Sequence, residues 1–151
     1  MSVLVYTESD NGKFKKVAFE VASFAKGIAD QLGTTTTAVA INANESSELG
    51  KYGVNKVLNV SNPNLNAFKA STFAEVIKQA VDNEGSSIIV LSSSINSKYL
   101  SSILAVKLNA GLASNVISLP LSTSPFLVKR AAFTNKAIEH CQINTDIKIV
   151  A

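Results

Sequence analysis

Val3-Leu4-Val5-Tyr6-Thr7-Glu8-Ser9-Asp10-Asn11-Gly12 opens the chain. Its first four residues read as a strand, and the polar turn after them leads into a helical pattern, with Val17, Val21, Phe24, Ala25, Ile28 and Leu32 at helical spacing. Gly33 follows where a helix stops. A strand, a short junction and an amphipathic helix form the opening unit of an α/β sheet. The junction between Tyr6 and Lys16 lacks the glycines that a phosphate-cradling loop needs.

Working outward, Thr34 to Ile41 is a β-branched run that reads as a second strand, with Asn42-Ala43-Asn44 as its turn. Ser46 to Tyr52 suits a short helix limited by Gly50 and Gly53, and Lys56 to Val60 is a third strand. Pro63 lies in the loop that follows. Thr72 and Glu75 have capping-box spacing, which predicts a helix starting there and running to about Glu84. Ser87-Ile88-Ile89-Val90-Leu91 does not alternate, as expected of a central strand buried on both faces. Ser97 is the expected cap of a further helix bearing Leu100, Ile103, Leu104 and Leu108, closed by Asn109-Ala110-Gly111. Asn115 to Leu119 is the expected fifth strand.

Strands alternating with helices require crossover connections, so the fold class is α/β, a three-layer, doubly wound, mainly parallel sheet. After Pro120 the pattern changes to strand candidates at Phe126 to Ala132, Lys136 to Gln142 and Ile147 to Ala151, with a hairpin turn at Thr134-Asn135. These read as antiparallel strands completing one edge. With 151 residues and no linker or repeat, residues 1–151 are expected to form one domain.

Composition narrows the function. Hydrophobic content of 46% and charge of 17% describe a chain that folds around a core. Fourteen scattered basic residues and a net charge of +3 give no nucleic-acid stripe. The single cysteine, Cys141, allows no disulfide framework and suits a reducing compartment. No apolar run approaches the ~20 residues of a membrane span, and strand-like sequence from Ser2 leaves no room for a leader, so a prokaryotic cytoplasm is expected, or the mitochondrial matrix in a eukaryote.

Ligands of open sheets bind beyond the carboxyl ends of the strands. The candidate segments are therefore Thr7 to Asp10, Asn42 to Glu45 and Ser92-Ser93-Ser94-Ile95-Asn96-Ser97. The serine cluster offers hydroxyls and amides at a helix start to a phosphate, although capping and turn formation explain it more simply. Glu8 and Asp10 are a conceivable acid/base pair and read better as turn carboxylates. His140 and Cys141, adjacent on a strand, point to opposite faces, which suits a surface histidine and a buried cysteine. Lys129-Arg130 suits a solvated strand end. No catalytic, cofactor-binding or metal-ligating residue is assigned.

Three segments go further. Val3 to Lys16 carries a strand, glutamate, Asn-Gly turn and lysine-bearing helix start. Leu49 to Val57 reads L-G-K-Y-G-V-N-K-V, and Lys98 to Val116 contains K-L-N-A-G-L-A-S-N-V. In that order they resemble the amino-terminal domain of the alpha subunit of electron-transfer flavoproteins. Lys129 to Ile138 is similar to a further family stretch, with Arg130 and Lys136 in place. Ala131, Phe133 and Asn135 stand where the family has proline, tyrosine and glycine, Val54 and Asn55 where it has alanine and aspartate, and Ser102-Ile103 where it has Pro-Arg.

The resemblance implies a fold akin to adenine-nucleotide alpha hydrolases. It also implies a heterodimer with a beta subunit that passes electrons from acyl-CoA or other dehydrogenases to a quinone oxidoreductase through one FAD. In the family a second alpha domain chiefly holds the FAD, so none is expected in this segment, and the isolated segment is expected to be an inactive electron-carrier part. Its task would be to serve as scaffold and beta-subunit contact. The alternative is a stand-alone adenine-nucleotide module similar to universal stress proteins, using Ser92 to Ser97 for ATP or AMP. A hydrolase using Glu8 and Asp10 is a remote third reading.

Overall fold

The computed structural model describes residues 2–151. Its centre is a six-stranded parallel sheet, built from β1 (Ser2–Thr7), β4 (Thr35–Ile41), β5 (Lys56–Val60), β6 (Ile88–Val90), β7 (Gly111–Ala113) and β11 (Lys148–Val150). The spatial order is β5-β4-β1-β6-β11-β7. All six residues of β1 are buried, because it is flanked by strands on both sides and by helices on both faces.

The alternation of β1 divides the core. Val3 and Val5 face α1 (Lys16–Leu32), whose Ala18, Ala22, Ala25 and Ala29 allow close approach to the sheet. Leu4 and Tyr6 face α2 (Ala70–Glu84) and α3 (Ile95–Leu108), among Ile77, Leu100 and Leu104. Gly33 ends α1 in the left-handed region at φ 67°, as its position predicts. Asn109 plays the same part after α3, at φ 53°.

Three expectations are corrected. Thr72 does not cap α2: the helix starts at Ala70 after an extended Lys69 with no side-chain cap, which places Thr72 inside the first turn. Ser97 does not cap α3 either. Ser94 does, accepting the Ser97 amide at 3.2 Å, and Ser97 lies buried one turn in. The strand after α3 is Gly111–Ala113, not Asn115 to Leu119. The latter segment holds only an isolated bridge, Val116 to Arg130, because Asn115 turns the chain at φ 56°.

The fold class agrees with the expectation. The tail contributes an antiparallel sheet of β8 (Ser122–Thr123), β9 (Phe126–Ala132) and β10 (Ala137–Ile143), with the predicted hairpin turn. Its last strand, β11, differs: it returns to the main sheet and lies parallel between β6 and β7. Periodicity reads the strand and not its neighbours, which is why only the partner was missed. Lys129 and Arg130 fall in mid-strand rather than at a strand end, and Arg130 is held by Glu139 and the Ser114 carbonyl, each at 2.8 Å. His140 is exposed and Cys141 half-buried against the core.

A self-occupied switch point

The chain runs outward from β1 through β4 to β5, then crosses to β6 on the other side of β1. The switch point of the sheet therefore lies beyond the ends of β1 and β6, at Glu8 and Ser92. This is where an open α/β sheet places its ligand. Here the position is taken by the protein itself.

Glu8 leaves the end of β1 and turns its carboxylate into the first turn of α3. Its Oε1 accepts hydrogen bonds from the hydroxyls of Ser92 at 2.5 Å, Ser94 at 2.6 Å and Ser97 at 2.7 Å. Lys15 Nζ reaches Oε2 at 3.3 Å. Glu8 is 4% exposed. Burial pushes its pKa up, but the three hydroxyls and the Lys15 charge outweigh this and hold it below the ordinary glutamate value. The three serine hydroxyls at the helix start that would suit a phosphate are thus committed to an internal anion.

Two of the expected segments are therefore one site. Thr7 to Asp10 and Ser92 to Ser97 meet through Glu8, while Asp10 lies exposed on the β2–β3 hairpin (Ser9–Asp10 and Lys13–Phe14). The structure does not pair Glu8 with Asp10 as acid and base. Asn11 and Gly12 form the hairpin turn, at φ 51° and 81°. Of the third segment, Asn42, Ala43 and Asn44 build the opposite wall of a cleft of about 720 Å³ beyond β1, β4 and β5, and Glu45 lies outside it.

That wall is pinned by amides. Asn42, in the left-handed region at φ 55°, donates to the Asn62 carbonyl and to Asn66 Oδ1, both at 2.9 Å, and accepts the Asn62 amide at 2.7 Å. Ser9 donates to the Ile41 carbonyl at 2.7 Å, and the Asn44 amide to the Gly12 carbonyl at 2.8 Å. Tyr6 lies in the floor, with Phe68 and Phe73 edge-to-face in sequence beside it.

Sequence reading missed Tyr6, Lys15, Asn62 and Asn66 as cleft residues, while Asn96 lies in the expected Ser92 to Ser97 segment. Of the asparagines at 59, 62, 64 and 66, only Asn62 and Asn66 line the cleft, and turn chemistry explains the segment in sequence. Among the described residues no group of three or more His, Cys, Asp and Glu side chains is placed to hold a metal. None of their helices is long and apolar enough to cross a membrane.

The sheet order and the internally neutralised helix start define a Rossmann-like domain that keeps nucleotide-binding architecture while closing its phosphate position. The family model for the electron transfer flavoprotein domain matches residues 3–151, and the chain belongs to that family. It is similar to electron transfer flavoprotein subunit alpha of Bacillus subtilis (strain 168), 27% identical over 150 residues, covering 99% of this chain and 46% of the relative. The subunit alpha of Clostridium acetobutylicum is 29% identical over 141 residues, covering 90% and 42%. Lactate dehydrogenase (NAD(+),ferredoxin) subunit LctC of Acetobacterium woodii is 27% identical over 135 residues, covering 87% and 32%. The chain spans less than half the length of these relatives. The resemblance read from three short segments is that of the whole chain.

Proposed function

We propose that residues 1–151 form a single domain, the amino-terminal domain of an electron-transfer flavoprotein alpha subunit, acting as scaffold and as contact surface for a beta subunit. The heterodimer would carry electrons from acyl-CoA or other dehydrogenases towards a quinone oxidoreductase, in a prokaryotic cytoplasm or a mitochondrial matrix. The family match over residues 3–151 carries this reading.

The site supports the passive role. A flavin dinucleotide's pyrophosphate does not suit these residues, because the α3 start already holds the Glu8 carboxylate and a second anion would meet it at close range. FAD would instead be held by a part of the protein outside this chain. The same geometry disfavours the ATP- or AMP-binding alternative, three of whose four serines are committed to Glu8.

A surface for a partner is available on α3. Leu100, Leu104 and Leu108 bury one side of the helix, while Ile95, Tyr99 and Val106 project from the other at 74%, 64% and 83% exposure. With Ser102, their spacing of four, three and four residues makes one stripe. Apolar side chains aligned in this way mark an interaction face more often than scattered ones do.

Co-expression with a beta subunit and a flavin-binding alpha segment tests the proposal. A stoichiometric complex with the flavin outside this chain is expected. Isolation of the 151-residue chain as a yellow protein with one FAD would overturn it.

A further inference from the structure

The tip of the β2–β3 hairpin is Asn11-Gly12, and every other asparagine of the chain precedes a residue that carries a Cβ. Both tip residues lie in the left-handed region, at φ 51° and 81°, as a two-residue turn between antiparallel strands requires. Asn11 is exposed. Its side chain makes no hydrogen bond among the described residues, and the Gly12 amide donates to none of their carbonyls. The side-chain carbonyl carbon of Asn11 and the backbone nitrogen that follows it are both free to react.

Little holds the tip shut. Pairing between β2 and β3 consists of Ser9 with Phe14 and Asp10 with Lys13, and one further backbone bond, from the Asn44 amide to the Gly12 carbonyl at 2.8 Å, ties the tip to the cleft wall. The stronger anchors lie below the turn. Ser9 donates to the Ile41 carbonyl at 2.7 Å, and the Lys15 amide donates to the Glu8 carbonyl at 3.0 Å. The tip can therefore open locally while β1 and the base of the hairpin stay in place. Without a Cβ, Gly12 also puts no steric barrier between its nitrogen and the Asn11 side chain.

We propose that Asn11 is a site of spontaneous deamidation, through which the hairpin gains negative charge at the mouth of the cleft. The Gly12 nitrogen attacks Asn11 Cγ, the Cγ–Nδ2 bond breaks, and Nδ2 leaves as ammonia with the proton that the Gly12 amide gave up. A cyclic succinimide results. Water then opens it, at Cγ to give aspartate or at the main-chain carbonyl to give isoaspartate, whose chain continues through Cγ. Water is the only co-reactant, and nothing is oxidised or reduced.

Either product sets a carboxylate beside Asp10, among the residues that line the cleft. Isoaspartate also adds a methylene to the backbone of a turn that admits two residues, which breaks the Asp10–Lys13 register and the Asn44 bond. The inference does not rest on the scaffold role.

Ageing the folded protein in neutral and in mildly alkaline buffer, followed by peptide mass spectrometry and isoaspartate methyltransferase labelling, tests it. Asn11 is expected to convert at least about tenfold faster than any other asparagine, to both products, and faster in alkali because the attacking nitrogen must lose its proton. Conversion in the folded protein should stay within about tenfold of the rate in urea, since only the tip has to open. Gly12→Ala is expected to slow it at least about tenfold. A Cβ there would meet the Asn44 side chain, so Asn11→Gln, which must close a larger ring, is the second variant and should remain unmodified on the same timescale. Asn11 persisting as long as the other asparagines, stronger protection by folding, an unchanged rate in Gly12→Ala, prompt conversion of Asn11→Gln, or aspartate without isoaspartate would each overturn the proposal.

Discussion

Ser92 Oγ donates to Glu8 Oε1 at 2.5 Å, although 84 residues separate them. This bond joins the ends of β6 and β1, the two strands between which the sheet changes direction. Together with Ser94, Ser97 and Lys15 it gives a buried carboxylate a full set of partners. The same bonds deny the position to an external phosphate.

The first prediction concerns pH. The native Glu8 carboxyl binds its proton less readily than the unfolded one, whose ordinary value is 4.5. The unfolded state therefore holds more protons as pH falls through this range, and stability falls with it. Glu8 contributes fully above the ordinary value, and its contribution is lost as pH drops through the lowered native one. Glu8→Gln should flatten that part of the curve, measured by urea unfolding at a series of pH values. An unchanged slope would contradict the assignment.

Glu8→Ala removes the internal anion and leaves three hydroxyls and the Lys15 ammonium without their acceptor. A loss of about 2 kcal/mol is expected, given that hydrogen bonds to a charged group are the stronger kind. Inorganic phosphate should restore part of the loss by occupying the freed donors, raising Tm in the variant and not in the parent. Equal phosphate effects on both proteins would show that Glu8 does not fill an anion position.

Thr36 offers a substitution in the stabilising direction. Its side chain is buried, and Oγ1 is the one fully buried side-chain polar atom among the described residues without a hydrogen-bond partner. Thr36→Val keeps the shape and removes the orphaned oxygen. A gain of about 1 kcal/mol is expected in chemical denaturation, since an unsatisfied buried hydroxyl costs roughly that much.

The α3 stripe separates stability from association. Val106→Glu changes an exposed side chain and should move stability by no more than about 0.5 kcal/mol. In a beta-subunit binding assay the same variant should lower affinity at least tenfold, as expected when a charge enters the apolar centre of an interface. Leu104→Ala, on the opposite side of α3 and buried in the core, should instead cost about 2–5 kcal/mol. Its measurement by thermal unfolding checks which side of the helix is the core side.

Much of the fold is legible because its signals are local. Helical spacing from Val17 to Leu32, the unbroken apolar run at Ser87 to Leu91 and stops at Gly33 and Asn109 each depend on neighbours within a few turns. The helix starts were less legible. Thr72 and Ser97 both had capping chemistry and neither caps, because the sheet decides where each helix enters and a serine three residues earlier met α3 first. The last strand was visible, but its place between β6 and β7 was not, since the side chains of Ile147 to Ala151 suit a parallel or an antiparallel neighbour alike.

The stretch from Val3 to Gly12 by itself determined the strand and the junction, and its lack of phosphate-loop glycines ruled out the familiar cradle. Whether Glu8 was a turn carboxylate or a reacting group could not be decided there, because its partners lie at Ser92, Ser94 and Ser97. Only the crossover that sets β6 beside β1 brings those hydroxyls to it. A buried charge is stable only where donors converge on it, and convergence across 84 residues is a property of the tertiary structure.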